Sequence, residues 1–256
     1  MDINRSVPVK LGEELDSVMD SIAGIIFPRR CPVCDGIIKN SEVRRGRLIC
    51  GECESKVPII YEPRCKKCSK PLSDSRAEYC YDCSRVRHKY KTGLALVEHR
   101  GPMRKSVYSI KYKNRREYLD YYMSEMARIH GDTIREWHAD ALVPVPMYRK
   151  KEIKRGFNQA AEAAKILGTY LDMPVEERLI VRTADTRPQK ELSDTERRKN
   201  VEKAFHIDKN IVKLRKVILV DDIYTTGSTI DSCAKVLIDK GVEEVCYISI
   251  SIGDGL

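Results

Sequence analysis

Long apolar runs are what this sequence lacks. Nothing in its 256 residues approaches the roughly 20 consecutive apolar residues that a membrane-spanning helix needs. The longest apolar run near the N-terminus, Ile22 to Phe27, is too short for the core of a secretion signal, and acidic residues precede it. A cytoplasmic location is therefore expected, and with it reduced thiols. A disorder-prone composition is also absent, since 42% of residues are hydrophobic. The length suits one good core with a small appended module.

Ten cysteines then need an explanation other than disulfides. Eight of them form four Cys-x-x-Cys pairs: Cys31/Cys34, Cys50/Cys53, Cys65/Cys68 and Cys80/Cys83. Such a turn aims two thiolates at one metal, and two turns complete a tetrahedral four-cysteine site. Sequential pairing gives Cys31, Cys34, Cys50 and Cys53 as one site and Cys65, Cys68, Cys80 and Cys83 as the other; interleaved pairing is the weaker alternative. The repeat predicts two structural Zn2+ ions, each in a closed site, in a module too small to fold without metal. Cys233 and Cys246 stand apart and are expected as small buried hydrophobes. Two four-thiolate zinc sites at −2 each lower the formal charge of +9 to +5, which permits a nucleic-acid partner without demanding one.

Three segments are expected. Residues 1–27 form an N-terminal helix, with Leu11, Leu15, Val18, Met19, Ile22, Ile25 and Ile26 at helical spacing. Residues 28–90 form the double zinc ribbon. Within its cysteine region, residues 28–84, many cations, among them Arg44, Arg45, Arg47, Lys66, Lys67 and Lys70, are interleaved with few aromatics, only Tyr61, Tyr79 and Tyr81. They make either a solvated surface or a face that tracks a nucleic-acid backbone. Residues 91–256 form an α/β domain. It opens with a strand over Gly93 to Glu98 and a helix begun by Gly101-Pro102, broken near Asn114 and resumed from Glu117 to His130. Arg100, Arg104, Lys105, Lys111, Lys113, Arg115 and Arg116 cluster there around Tyr108 and Tyr112. Core tyrosines with solvated cations are the favoured reading; aromatics stacking on unpaired bases are the alternative. A buried strand, Ala141 to Val145, precedes a cationic loop, Met147 to Lys151, and a helix from Gln159 to Leu171. After a short strand at Leu179 to Val181 comes a mobile segment, Thr183 to Leu192. A capping box, Ser193 to Glu196, then opens a helix.

The C-terminal stretch Val217 to Thr229 organises the rest. An apolar, β-branched strand ends in Asp221-Asp222, followed by Thr225-Thr226-Gly227-Ser228-Thr229 and a helix. Turn and first-helical-turn N–H groups, the helix dipole and four hydroxyls suit a phosphate. The two carboxylates would repel a bare phosphate, so they call for a ribose diol or a divalent metal.

This stretch resembles the phosphoribosyl-pyrophosphate (PRPP) signature of type I phosphoribosyltransferases. The resemblance implies that Asp221 and Asp222 hold the ribose hydroxyls, with the catalytic charge, and that Thr225, Thr226, Gly227, Ser228 and Thr229 cradle the 5-phosphate. It also implies that Mg2+ accompanies PRPP. Arg149, Arg155, Lys190 and Arg197 are the candidate pyrophosphate and loop cations. The paired cysteines, Pro144-Val145-Pro146, Arg155-Gly156-Phe157-Asn158-Gln159, Gln189-x-x-Leu192, Arg197-x-x-Asn200 and Ala204-Phe205 together resemble the ComF family of competence proteins. That resemblance implies a type I phosphoribosyltransferase-like parallel-sheet domain behind a double zinc ribbon. It further implies single-stranded DNA and the DNA-uptake machinery as partners, at the inner face of the membrane. An active phosphoribosyltransferase releasing pyrophosphate onto an unidentified acceptor is the alternative. No acceptor-binding hood is expected after the last strand, which leaves the zinc module as the candidate hood.

Overall fold

The computed structural model describes residues 28–183, 205–207 and 214–253. The expected N-terminal helix and the capping box at Ser193 to Glu196 lie outside them, as do Lys190 and Arg197.

The two ribbons are built alike. The first Cys-x-x-Cys of each is a tight knuckle: Cys31 N–H donates to Gly36 O and Asp35 N–H to Cys31 O, and Cys65 N–H donates to Lys70 O and Ser69 N–H to Cys65 O. The residue after each knuckle, Asp35 (φ 59°) or Ser69 (φ 66°), is left-handed. The second Cys-x-x-Cys of each starts a short helix, since Cys50 precedes α2 (Gly51–Glu54) and Cys80 precedes α3 (Tyr81–Arg85). Between the first knuckle and α2 lies α1 (Asn40–Val43).

Four strands form a wholly parallel sheet: β1 (Gly93–Glu98), β2 (Ala141–Pro144), β5 (Lys216–Tyr224) and β6 (Glu244–Ile252), in the order β1-β6-β5-β2. A separate antiparallel pair joins β3 (Ile180–Arg182) to β4 (Phe205–Ile207). The helices α4 (Pro102–Tyr112), α5 (Tyr118–Glu136), α6 (Arg149–Arg155), α7 (Gln159–Leu171) and α8 (Ser228–Ile238) connect the strands. An α/β parallel-sheet domain behind a small module of two four-cysteine groups is therefore the architecture, as the sequence implied.

Strand alternation divides the core between the two faces of the sheet. Leu94, Leu96, Ile218, Val220, Ile248 and Ile250 join α4, α5 and α7 on one face, together with Cys31, Ile38, Ile49 and Cys53 of the first ribbon. Ala95, Val217, Leu219, Val245 and Tyr247 join α8 on the other, together with Cys65, Cys68 and Cys80 of the second ribbon. The two ribbons thus contribute to opposite sides of one domain. Cys233 (0% exposed) and Cys246 (3%) are core hydrophobes, and burial pushes the Cys246 thiol up to about 11.

Four expectations need correction. The strand before the acidic pair does not stop there: β5 runs to Tyr224, because β6 extends alongside it, pairing Asp221 with Ser249 and Tyr224 with Ile252. The expected loop at Met147 to Lys151 is mostly helix, since α6 begins at Arg149; it buries no residue and so leaves no apolar periodicity to read. The second half of the broken helix continues to Glu136 instead of ending at His130. Tyr108 (55% exposed) and Tyr112 (63%) are not core residues; they stand in solvent on α4.

Candidate functional site

The eight paired cysteines come together sequentially, with the four sulfurs of each group within 4.8 Å of one another. Sulfur separations of 3.8 Å (Cys34 to Cys50) and 3.6 Å (Cys31 to Cys50, Cys68 to Cys80) are recorded. A tetrahedron with Zn–S bonds near ~2.3 Å has edges of about 3.8 Å, so the donor set and its size fit Zn2+.

The acidic pair lies near the C-terminal end of β5, the edge where ligands gather in parallel α/β sheets. Asp222 is buried and its N–H donates to Asp221 Oδ1 at 2.8 Å. Burial pushes the Asp221 carboxyl well above the ordinary carboxylate value, and the Asp222 charge beside it adds to the rise. Lys111 from α4 reaches across to place Nζ 2.6 Å from Asp222 Oδ2, with the two side chains 19% and 7% exposed. The approach is an ion pair without hydrogen-bond alignment, because Asp222 Oδ2 has no hydrogen-bond partner. The acids thus already hold a cation where Mg2+ is expected. Behind them, Ser251 Oγ donates to Asp222 O at 3.3 Å and lies 3.0 Å from His99 Nδ1. Burial, with the charges of Lys111 and Arg104, lowers the His99 pKa.

The turn follows directly. Gly253 N–H donates to Tyr224 O at 2.9 Å, tying the end of β6 to the start of the turn. Thr225 and Thr226 are exposed, while Ser228 and Thr229 are half-buried. Gly227 sits at φ 79° before α8, and no side chain caps the helix. The first N–H groups of an uncapped helix are available to an anion. Glycine is required at 227: an added Cβ would lie 2.5 Å from Tyr224 Oη.

The second ribbon forms the backing of this turn. Tyr224 stacks on Tyr247 (4.8 Å between centroids, 8° between planes), and Tyr90 meets Tyr247 edge-on at 4.9 Å. The Tyr90 and Tyr224 hydroxyls are 2.7 Å apart, and Tyr247 Oη donates to Cys68 O at 2.8 Å. His88 Nδ1 lies 2.8 Å from Asp231 Oδ2 in the first turn of α8, while Lys89 N–H donates to Asp231 Oδ1 at 2.7 Å. The chain leaving the second four-cysteine group is therefore fastened to the helix that begins at the turn.

Of the expected pyrophosphate cations, the two among the described residues, Arg149 and Arg155, line different clefts. Arg149 lines a cleft of about 660 Å3 with Ile153, Asn158, Arg178 and Arg182. Arg155 lines a different one, of about 430 Å3, with Lys111, Tyr112, Asn114, Lys151, Lys154 and Phe157. The Arg155 guanidinium lies 5.1 Å from the Tyr112 ring and donates to Gln159 Oε1 at 2.5 Å. Several cations of the second basic cluster are engaged within the protein: Lys111 on Asp222, Arg115 on Asp35 at 3.2 Å, and Arg104 on His99 O at 2.9 Å. The sequence reading missed Lys111 as a partner of the acids, and missed His99, Tyr90 and His88 altogether. His99 directly follows β1, so the rule that ligands sit at strand C-termini could have flagged it.

Comparison with known proteins agrees with this anatomy. The double zinc ribbon domain family matches residues 22–84. Competence protein F of Haemophilus influenzae is 28% identical over 225 residues, covering 86% of this chain and 95% of that protein. Competence protein ComFC of Bacillus subtilis is 29% identical over 199 residues, covering 75% and 79% respectively. DNA utilization protein YhgH of Escherichia coli K12 is 26% identical over 201 residues, covering 77% and 87%.

Proposed function

We propose that this chain, a double-zinc-ribbon homologue of the ComF-type competence proteins, binds PRPP or a closely related ribose phosphate and takes part in handling single-stranded DNA during natural transformation. The observation that carries the ligand half is the junction of β5 and α8. Two adjacent carboxylates, one of them buried, lead through a short turn at Thr225 to Gly227 into an uncapped helix start at Ser228, lined by hydroxyls. Asp221 and Asp222 take the ribose hydroxyls and Mg2+; Thr225 to Thr229 take the 5-phosphate. The metal, when bound, offsets charge on the pyrophosphate. The chain's own part is to orient the ribose and fix the phosphate. Zn2+ holds the two ribbons. The DNA half is supported by the names of the relatives and by the exposed Tyr108 and Tyr112, whose rings lie 4.7 Å apart beside the exposed Lys105 and Lys113. A cytoplasmic site of action, reached at the inner face of the membrane through partners, accords with the described residues, none of whose helices is long and apolar enough to cross a membrane.

Isothermal titration with PRPP·Mg2+ tests the ligand half. Wild type is expected to bind, and Asp221→Asn and Asp222→Asn to lose most of the heat; no binding by wild type contradicts the reading. A second reading, transfer of the phosphoribosyl group to an unidentified acceptor, is favoured by the retention of both acids together with the full turn. Acceptor-dependent release of pyrophosphate would establish it.

A further inference from the structure

Lys111 belongs to two places at once. Its ammonium sits 2.6 Å from Asp222 Oδ2, and the same side chain lines the 430 Å3 cleft with Tyr112, Asn114, Lys154, Arg155 and Phe157. We propose that this cleft is the polyanion arm of the ligand site, and that Lys111 is an exchangeable cation that moves from Asp222 to the ligand's anionic group on binding. The proposal rests on the ribose-phosphate reading above and adds to it the reason why a ligand would need two charged ends.

The physics is a competition for one carboxylate. A divalent metal or a ribose diol on the acidic pair must displace the ammonium. Two cations a few ångströms apart in a partly buried site repel strongly, because little water screens them. Lys111 is 19% exposed and emerges from α4 at the cleft wall, so the cleft is the adjoining space that can receive it. That space already holds Lys154 and Arg155, the latter over the Tyr112 ring. Lys111 can settle there only if an anion arrives with the ligand. The resting pair is close, at 2.6 Å, although Asp222 Oδ2 accepts no aligned hydrogen bond. A ligand that brings only a diol, or only a phosphate for the turn, leaves Lys111 on Asp222. One that carries a ribose and a second polyanion supplies both halves of the exchange.

The experiment compares two ligands, PRPP and ribose 5-phosphate, each with Mg2+, on wild type, Lys111→Ala and Lys111→Gln, by calorimetry. Zinc content and thermal melting select variants that are folded. Wild type is expected to prefer PRPP. The variants should lose about tenfold or more of their PRPP affinity, the loss of one charge-assisted contact to an anion, and should lose none for ribose 5-phosphate, because a competitor for Asp222 has gone. Lys154→Ala, which also lines the cleft, should weaken PRPP alone. Equal weakening of both ligands by Lys111→Ala, or unchanged PRPP affinity, overturns the exchange while leaving the ligand reading standing. Failure of wild type to bind either ligand overturns both.

Discussion

Asp221 shows at the level of one side chain how a binding group costs stability. Its carboxyl is held well above the ordinary value, first by burial and then by Asp222. An acid whose folded pKa is raised loses stability as pH rises through the interval from its unfolded value toward its folded one, so at neutral pH Asp221 is a net burden. Asp221→Asn is expected to melt higher than wild type at pH 7, about 2–4 °C for each kcal/mol relieved, while binding PRPP·Mg2+ far less. The ligand's metal must expel any proton on this pair, so binding by wild type should release protons and strengthen as pH rises. Titration in buffers of different ionisation enthalpy reads that directly. His130 gives the opposite sign. Burial, reinforced by Arg64, depresses its pKa to about 4, and its Nε2 has no partner. Its contribution is present above the unfolded value near 6.5 and disappears as pH falls toward 4. Denaturant unfolding across that window should show a drop of up to about 3 kcal/mol, shallower in His130→Gln.

Among elements, the β5–turn–α8 unit was legible in sequence because every part of it is local: apolar strand, acids, glycine and hydroxyls, helix. The cysteine knuckles were legible for the same reason, since their spacing carries the geometry. What joins these parts was not. Tyr90, Tyr224 and Tyr247 form one aromatic cluster, and Lys111 meets Asp222, but the partners are far apart in the chain and nothing in their neighbourhoods announces them. Nor did α6 show itself, having no buried face to impose a period. The unit's weak point is Gly227. Gly227→Ala puts a non-glycine residue at φ 79° and a methyl 2.5 Å from Tyr224 Oη. The conformation alone costs about 1–2 kcal/mol, and the displaced turn should bind PRPP more weakly; melting and calorimetry on the same sample check both.

For the whole molecule, the zinc ribbons are part of the core rather than an appendage. Residues of the first ribbon share the buried cluster of α4, α5 and α7, and cysteines of the second share that of α8. Stripping zinc with a chelator should therefore melt the α/β domain and its ribbons in one lowered transition; a domain transition unmoved by metal removal would contradict this coupling. The DNA surface is a second property at this scale. Replacing exposed Lys105 and Lys113 with Ala should reduce the salt slope of single-strand binding by roughly 0.7 per lost phosphate contact. Tyr108→Ala and Tyr112→Ala should each cost about 1–3 kcal/mol with little change in slope. Filter binding across a salt series separates the two.

The central claim is that a ribose phosphate sits at the junction of β5 and α8. A crystal structure of the chain grown with PRPP and Mg2+ tests it most directly. Ribose hydroxyls are expected on Asp221 and Asp222, the 5-phosphate against the N–H groups and hydroxyls of Thr225 to Thr229, and Lys111 withdrawn from Asp222 into the cleft. Ligand density elsewhere on the protein, with Lys111 still paired to Asp222, would contradict it.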